Sequence, residues 1–277
     1  HTFTAGALAI LGDRAPEDPS DVVAALVAHG RAVPDARAEV LATLCAYVRS
    51  TRPVPAPEVK RRPRPTPGVT SAMEAIGGCS GWGPIDLHGS HLHDLRFTGR
   101  ADDDRFVVAG DLDLHGCLLT GRTRWMWTQI DGSARLDDLV VEGEFDVANA
   151  FFRGPATYAR SRFEGSHTSF GRQHAANVDA SGIECLGTTS LGGSYDADVT
   201  FDGARFQRGI QSMSRVGGAF SLRNAQIPCE GADIGDSWLA HVDARFEGPV
   251  DLSGSTFSSF GLHGRFAQSV DLTDVTA

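Results

Sequence analysis

Three histidines, His88, His91 and His93, fall within HGSHLHD, with Asp94 beside them and His115 one repeat further on. Imidazole and carboxylate are the donors that zinc and related ions take, so metal chemistry is the first reading to test. The second candidate is GRTRWMWTQIDG at residues 121–132, where Arg122 and Arg124 precede Trp125 and Trp127. An exposed tryptophan between arginines has the composition of a contact hot spot. A third is the carboxylate pair Asp137 and Asp138, an acid and a base if both faced one substrate. The signatures of other chemistries are missing: no G-x-S-x-G, no phosphate-binding glycine loop, no H-E-x-x-H.

What these residues can do depends on the elements that carry them. The triplets FTG at 97, VAG at 108, LTG at 119, IDG at 130, VEG at 141, FRG at 152 and FEG at 163 lie on one 11-residue comb. Six residues after the apolar teeth at 108, 119, 130, 141 and 152 stands a second large residue: Leu114, Trp125, Leu136, Val147, Tyr158. A helix repeats at 3.6 and a strand at 2, so neither explains alternating steps of six and five. Eleven suits a right-handed coiled coil, but a glycine in every unit makes a poor helix. A chain that turns a corner every five or six residues does explain it. The expected fold is mainly β, a right-handed quadrilateral β-solenoid of about 22 residues per coil, with the triplet glycine at a corner where φ turns positive. The comb is expected to lose register at 170–190 and near 235–245, and RADDDRF at 100–106 reads as an irregular corner.

This geometry reshapes the candidates. His88 falls on one side and His91 and His93 on the next, so they diverge as exposed polar positions and no metal site is expected. Asp137 and Asp138 point different ways. No catalytic residue and no cofactor are assigned. Trp125 points inward. Trp127 lies near a surface or corner, beside Arg122, Arg124 and the next coil's Glu144 and Asp146, or else under an N-terminal cap. Asp131, Glu142, Glu144 and Glu164 form an acidic outer run.

The chain divides as 1–51, a helical bundle; 52–68, a proline-rich basic linker; 69–83, a short helix and turn; and 84–277, the solenoid. In 1–51, AGALAILGD reads as helical; Ser20 is the N-cap of a second helix that Gly30 ends. The KRRPR run reads as a solvated spacer. Residues 1–84 hold 9 Lys+Arg and 8 Asp+Glu, a balance of +1, whereas 85–277 hold 16 and 27, a balance of −11. Five separated cysteines without a C-x-x-C suit a reducing, cytoplasmic compartment.

IDLHGSHLHDLRFTG, FDGARF and FEGPVDLSGSTF resemble the repeats of the pentapeptide-repeat family, in an actinobacterial form rich in phenylalanine and glycine. GALAILGDRAPEDPSDVVAAL and EVLATLCAYVR are similar to the helical segment of such proteins. The resemblance implies a non-enzymatic scaffold with a protein partner. The alternative, by family analogy, is a protector or inhibitor of a type II topoisomerase, DNA gyrase, whose DNA an acidic homodimeric rod would mimic; direct nucleic-acid binding is not expected of the acidic solenoid. It also implies that a membrane tether, where there is one, lies upstream of this chain. A biosynthetic site near Trp127 is the remaining alternative.

Overall fold

The computed structural model describes residues 19–56, 62–211, 215–228, 240–258 and 260–276. The helix expected within 3–18 lies outside them. Helices α1 (Ser20–Ala32), α2 (Arg37–Thr51) and α3 (Pro67–Gly77) precede a parallel β-solenoid, consistent with the pentapeptide-repeat fold. No helix among the described residues is long and apolar enough to cross a membrane.

Each coil has four sides of two to five residues, as in Ala134–Arg135, Val140–Val141, Glu144–Asp146 and Ala150–Phe152. The first side stacks nine strands, from Ile85–Asp86 to Val270–Asp271, and the second stacks eight. The third and fourth sides merge into one 14-stranded sheet. There Ala240–Phe246 runs straight across a corner and pairs with strands of both. That lengthened coil occupies the expected irregularity near 235–245; residues 229–239 lie outside the description.

The inward pattern holds. All seven comb teeth, and Leu114, Trp125, Leu136, Val147 and Tyr158, are buried. Each such Leu or Phe contributes roughly 1.5–3 kcal/mol through burial. The residue two before each large inward residue, such as Thr123, Thr128, Ala134 or Ser161, also faces inward and keeps a column of its own. There the buried Ser161 hydroxyl donates to the Leu136 carbonyl and accepts the Leu139 N–H.

The register shifts by single residues around the expected stretch: Phe145 pairs with Thr168, 23 residues on, and Thr168 with Thr189, 21 residues on. The teeth His174 and Cys185 nevertheless continue the comb at 11-residue steps and are buried. A histidine and a cysteine in apolar slots hid them. Two other expectations are corrected. The triplet glycines are not mainly positive-φ corners, because only Gly110 and Gly121 of the seven have positive φ. They stack instead: a Cβ on Gly143 would lie 1.7 Å from the Gly121 carbonyl oxygen, and one on Gly165 2.1 Å from that of Gly143. The left-handed residues form a different column, between the first and second sides, through Gly89, Gly116, Asp138, Arg160, Gly182 and Gly203. Finally, Ser20 is the first residue of α1 and not its cap; its hydroxyl bonds to that of Ser71. Gly30 sits inside α1, where the Trp82 ring leaves no room for a side chain.

Candidate functional site

The register places Arg122 beside Glu144 and Arg124 beside Asp146 on the third side. They form ion pairs of 2.7 Å and 3.7 Å. The rest of the acidic run is also paired: Asp131 with Arg153, Glu142 with Arg62 at 2.5 Å, and Glu164 with Arg162 at 2.8 Å. The run is not one face either. Asp131 follows a fourth-side strand, whereas Glu142 and Glu164 follow second-side strands.

Trp127 turns the corner between the third and fourth sides in a left-handed conformation, φ 51°. That is a costly backbone for a bulky residue. The neighbouring chain holds it there, for its carbonyl accepts the N–H of Phe106, 2.9 Å away, where the irregular corner rejoins the fourth side. Trp127 is half-buried; the tryptophan packed on α1, against Gly30 and beside Arg37, is Trp82.

The Arg172 guanidinium lies 5.4 Å from the Trp127 ring and 5.5 Å from that of Phe151. Arg105 lies on the other part of Phe151, 3.5 Å from its centroid. Asp102 binds Arg105 through its carboxylate, and Gln129 accepts from Arg105 at 3.0 Å and donates to Asp131 at 2.7 Å. The irregular corner at 100–105 thus folds over the fourth side and makes a surface of Arg105, Arg172 and Trp127 over the buried Phe151. Sequence reasoning found Trp127 and missed the other three. Two signals pointed to them: the break in the comb, and a phenylalanine, Phe151, at an outward position.

The histidines separate as expected, but His91 is not exposed. It is 2% exposed, and its Nδ1 receives a hydrogen bond from buried Arg52 at 2.7 Å. Arginine can only donate, so Nε2 carries the His91 proton and gives it to the Thr120 hydroxyl, 3.0 Å away. Thr120 Oγ1 also donates to the Leu92 carbonyl, 3.4 Å away, and lies 3.1 Å from His93 Nδ1. Burial, and after it the charge of Arg52, lower the His91 pKa to about 4. Arg52 also donates to the carbonyls of His91, Pro63 and Arg64, so part of the proline-rich stretch is clamped to the first coil. Beside this network α3 and the first coil enclose a cleft of about 460 Å³, with Val69, Met73 and Leu92 apolar and His93 and Arg96 at its polar end.

Asp137 and Asp138 make no acid–base pair. Asp138 holds Arg160 through two hydrogen bonds of 2.7 Å and 2.8 Å, which keep its carboxyl below the usual range. Comparison with family models, curated proteins and solved structures gives no match.

Proposed function

We propose that the chain is a non-enzymatic interaction scaffold that binds a protein partner at the corner between its third and fourth sides. The observation that carries this is Trp127: a half-exposed tryptophan held in left-handed backbone, beside Arg172 and the Arg105–Phe151 stack. Strained backbone concentrates at functional positions, and Trp and Arg dominate binding hot spots. Parallel strands bonded coil to coil keep the surface rigid, so little ordering entropy is lost on binding. Among the described residues four cysteines are buried and free, which suits a cytoplasmic setting.

Mimicry of DNA towards a type II topoisomerase is the second reading, favoured by the net charge of −10. Arginine neutralises the acids that would imitate phosphates, which favours the scaffold. A supercoiling assay with purified gyrase separates the two readings: inhibition at micromolar protein supports mimicry.

The scaffold reading is tested by parallel affinity capture with the wild type, the Trp127→Ala/Arg172→Ala double variant and an Arg160→Ala control. A partner found with the wild type and the control is then purified. It should bind the double variant at least tenfold more weakly. Equal affinity for wild type and double variant overturns the assignment.

A further inference from the structure

Two copies of the tetrapeptide Asp-Leu-His-Gly occupy the corner between the first and second sides, at 86–89 and 113–116. The coil register sets Asp86 against Asp113. Gly89 and Gly116 adopt the same left-handed conformation, φ 62° and 63°, so the two copies repeat one geometry. In each, the aspartate Oδ1 accepts the histidine backbone N–H, at 3.3 Å for His88 and 3.0 Å for His115. In each, it also faces the imidazole Nδ1, at 2.6 Å and 3.3 Å respectively. The rings stack with centroids 5.5 Å apart and planes 23° from parallel.

The outer carboxylate oxygens are held elsewhere. Arg49 of α2 lies 2.6 Å from Asp86 Oδ2, and Arg135 of the next coil lies 2.9 Å from Asp113 Oδ2. A guanidinium on the outer oxygen in this way fixes the direction in which a ligating carboxylate points. One donor atom each from Asp86, His88 and Asp113 then lies within 4.8 Å of the others, on the part-exposed outside of the corner.

We propose that Asp86, His88 and Asp113 bind one divalent transition-metal ion, with His115 as the nearest fourth donor. Donors around a tetrahedral zinc stand about 3.4 Å apart. The Asp86–His88 pair, hydrogen-bonded at 2.6 Å, has to open to that spacing, and the longer separations, up to 4.8 Å, have to close by about an ångström or more. Without metal, His88 Nδ1–H donates to Asp86 Oδ1. Coordination through Nδ1 replaces that hydrogen bond and leaves the ring's proton on Nε2, so no net proton is lost. Two carboxylates against two guanidiniums leave no net charge. Calcium and magnesium, which depend on anionic oxygen, therefore gain little here, whereas imidazole nitrogen favours zinc, cobalt and copper. This corner is diagonally opposite Trp127, and the inference does not depend on the proposed partner surface.

The test is calorimetric titration of the untagged chain with zinc chloride, cobalt chloride and calcium chloride near pH 7.5. One saturable site is expected for zinc and for cobalt, and none for calcium. His88→Gln and Asp113→Asn should each weaken zinc at least tenfold, and His93→Ala should leave it unchanged. Zinc should also raise the melting temperature of the wild type but not of His88→Gln, which shows in the same scan that the variant folds. No saturable zinc binding, equal binding by His88→Gln, or calcium binding as tight as zinc each overturns the site.

Discussion

The Gly143 Cα stacks against the Gly121 carbonyl so closely that a Cβ would stand 1.7 Å from its oxygen. Coil-to-coil contact, and not backbone freedom, demands glycine there. Gly143→Ala is expected to destabilise by roughly 2–4 kcal/mol through overpacking. At Gly182, φ 66°, the nearest atom to a new Cβ is 4.0 Å away. Gly182→Ala should cost only the left-handed penalty, about 1–2 kcal/mol. Urea denaturation of both variants checks the difference; equal losses refute it.

Two buried histidines tie stability to pH. His91 and His174 both have pKa values lowered to about 4, chiefly by burial, against an ordinary value of 6.5. As pH falls through 6.5 the unfolded chain takes up protons that the folded chain refuses. Their contribution is complete above 6.5 and is lost progressively towards 4. From pH 7.5 to 5.5 the loss should be roughly 1 kcal/mol per histidine. His174 is stacked between Phe152 and Tyr195, so His174→Phe fits its slot and should shallow the slope. Denaturant melts at the two pH values measure this, and an unchanged slope in His174→Phe contradicts it.

Arg52 joins the proline-rich stretch to the first coil through three carbonyls and one imidazole. Arg52→Ala should cost roughly 2–3 kcal/mol, since hydrogen bonds to a charged group are the stronger ones. Arg52→Lys should recover little of it, because an ammonium cannot reproduce the planar fork. Thermal melts of the two variants suffice, and full recovery by lysine would count against the geometry.

Trp127→Gly separates strain from function. Glycine accepts φ 51° freely, so the strained-backbone cost of about 1–3 kcal/mol is released against the lost ring packing. Stability should change little, while affinity for the captured partner falls at least tenfold. A variant that both folds and binds like the wild type removes Trp127 from the interface.

The comb alone determined the four-sided coil and its core, because a side of five or six residues is local and its inward positions recur at fixed spacing. Even Thr123 and Thr128, polar yet inward, followed from that spacing. Where an apolar slot carried His174 or Cys185, composition hid what position would have shown. The tertiary structure decided the rest. The stacking of Gly143 on Gly121, the clamp of Arg52 on His91, the pairing of each acid with its arginine and the meeting of two Asp-Leu-His-Gly corners join residues from different coils or from the cap. Their partners are set by coil register and by the five extra residues of the first coil, whose Ile85 pairs with Leu112 27 residues on and not 22. A one-residue change in any coil length moves every such partner while leaving the local pattern intact.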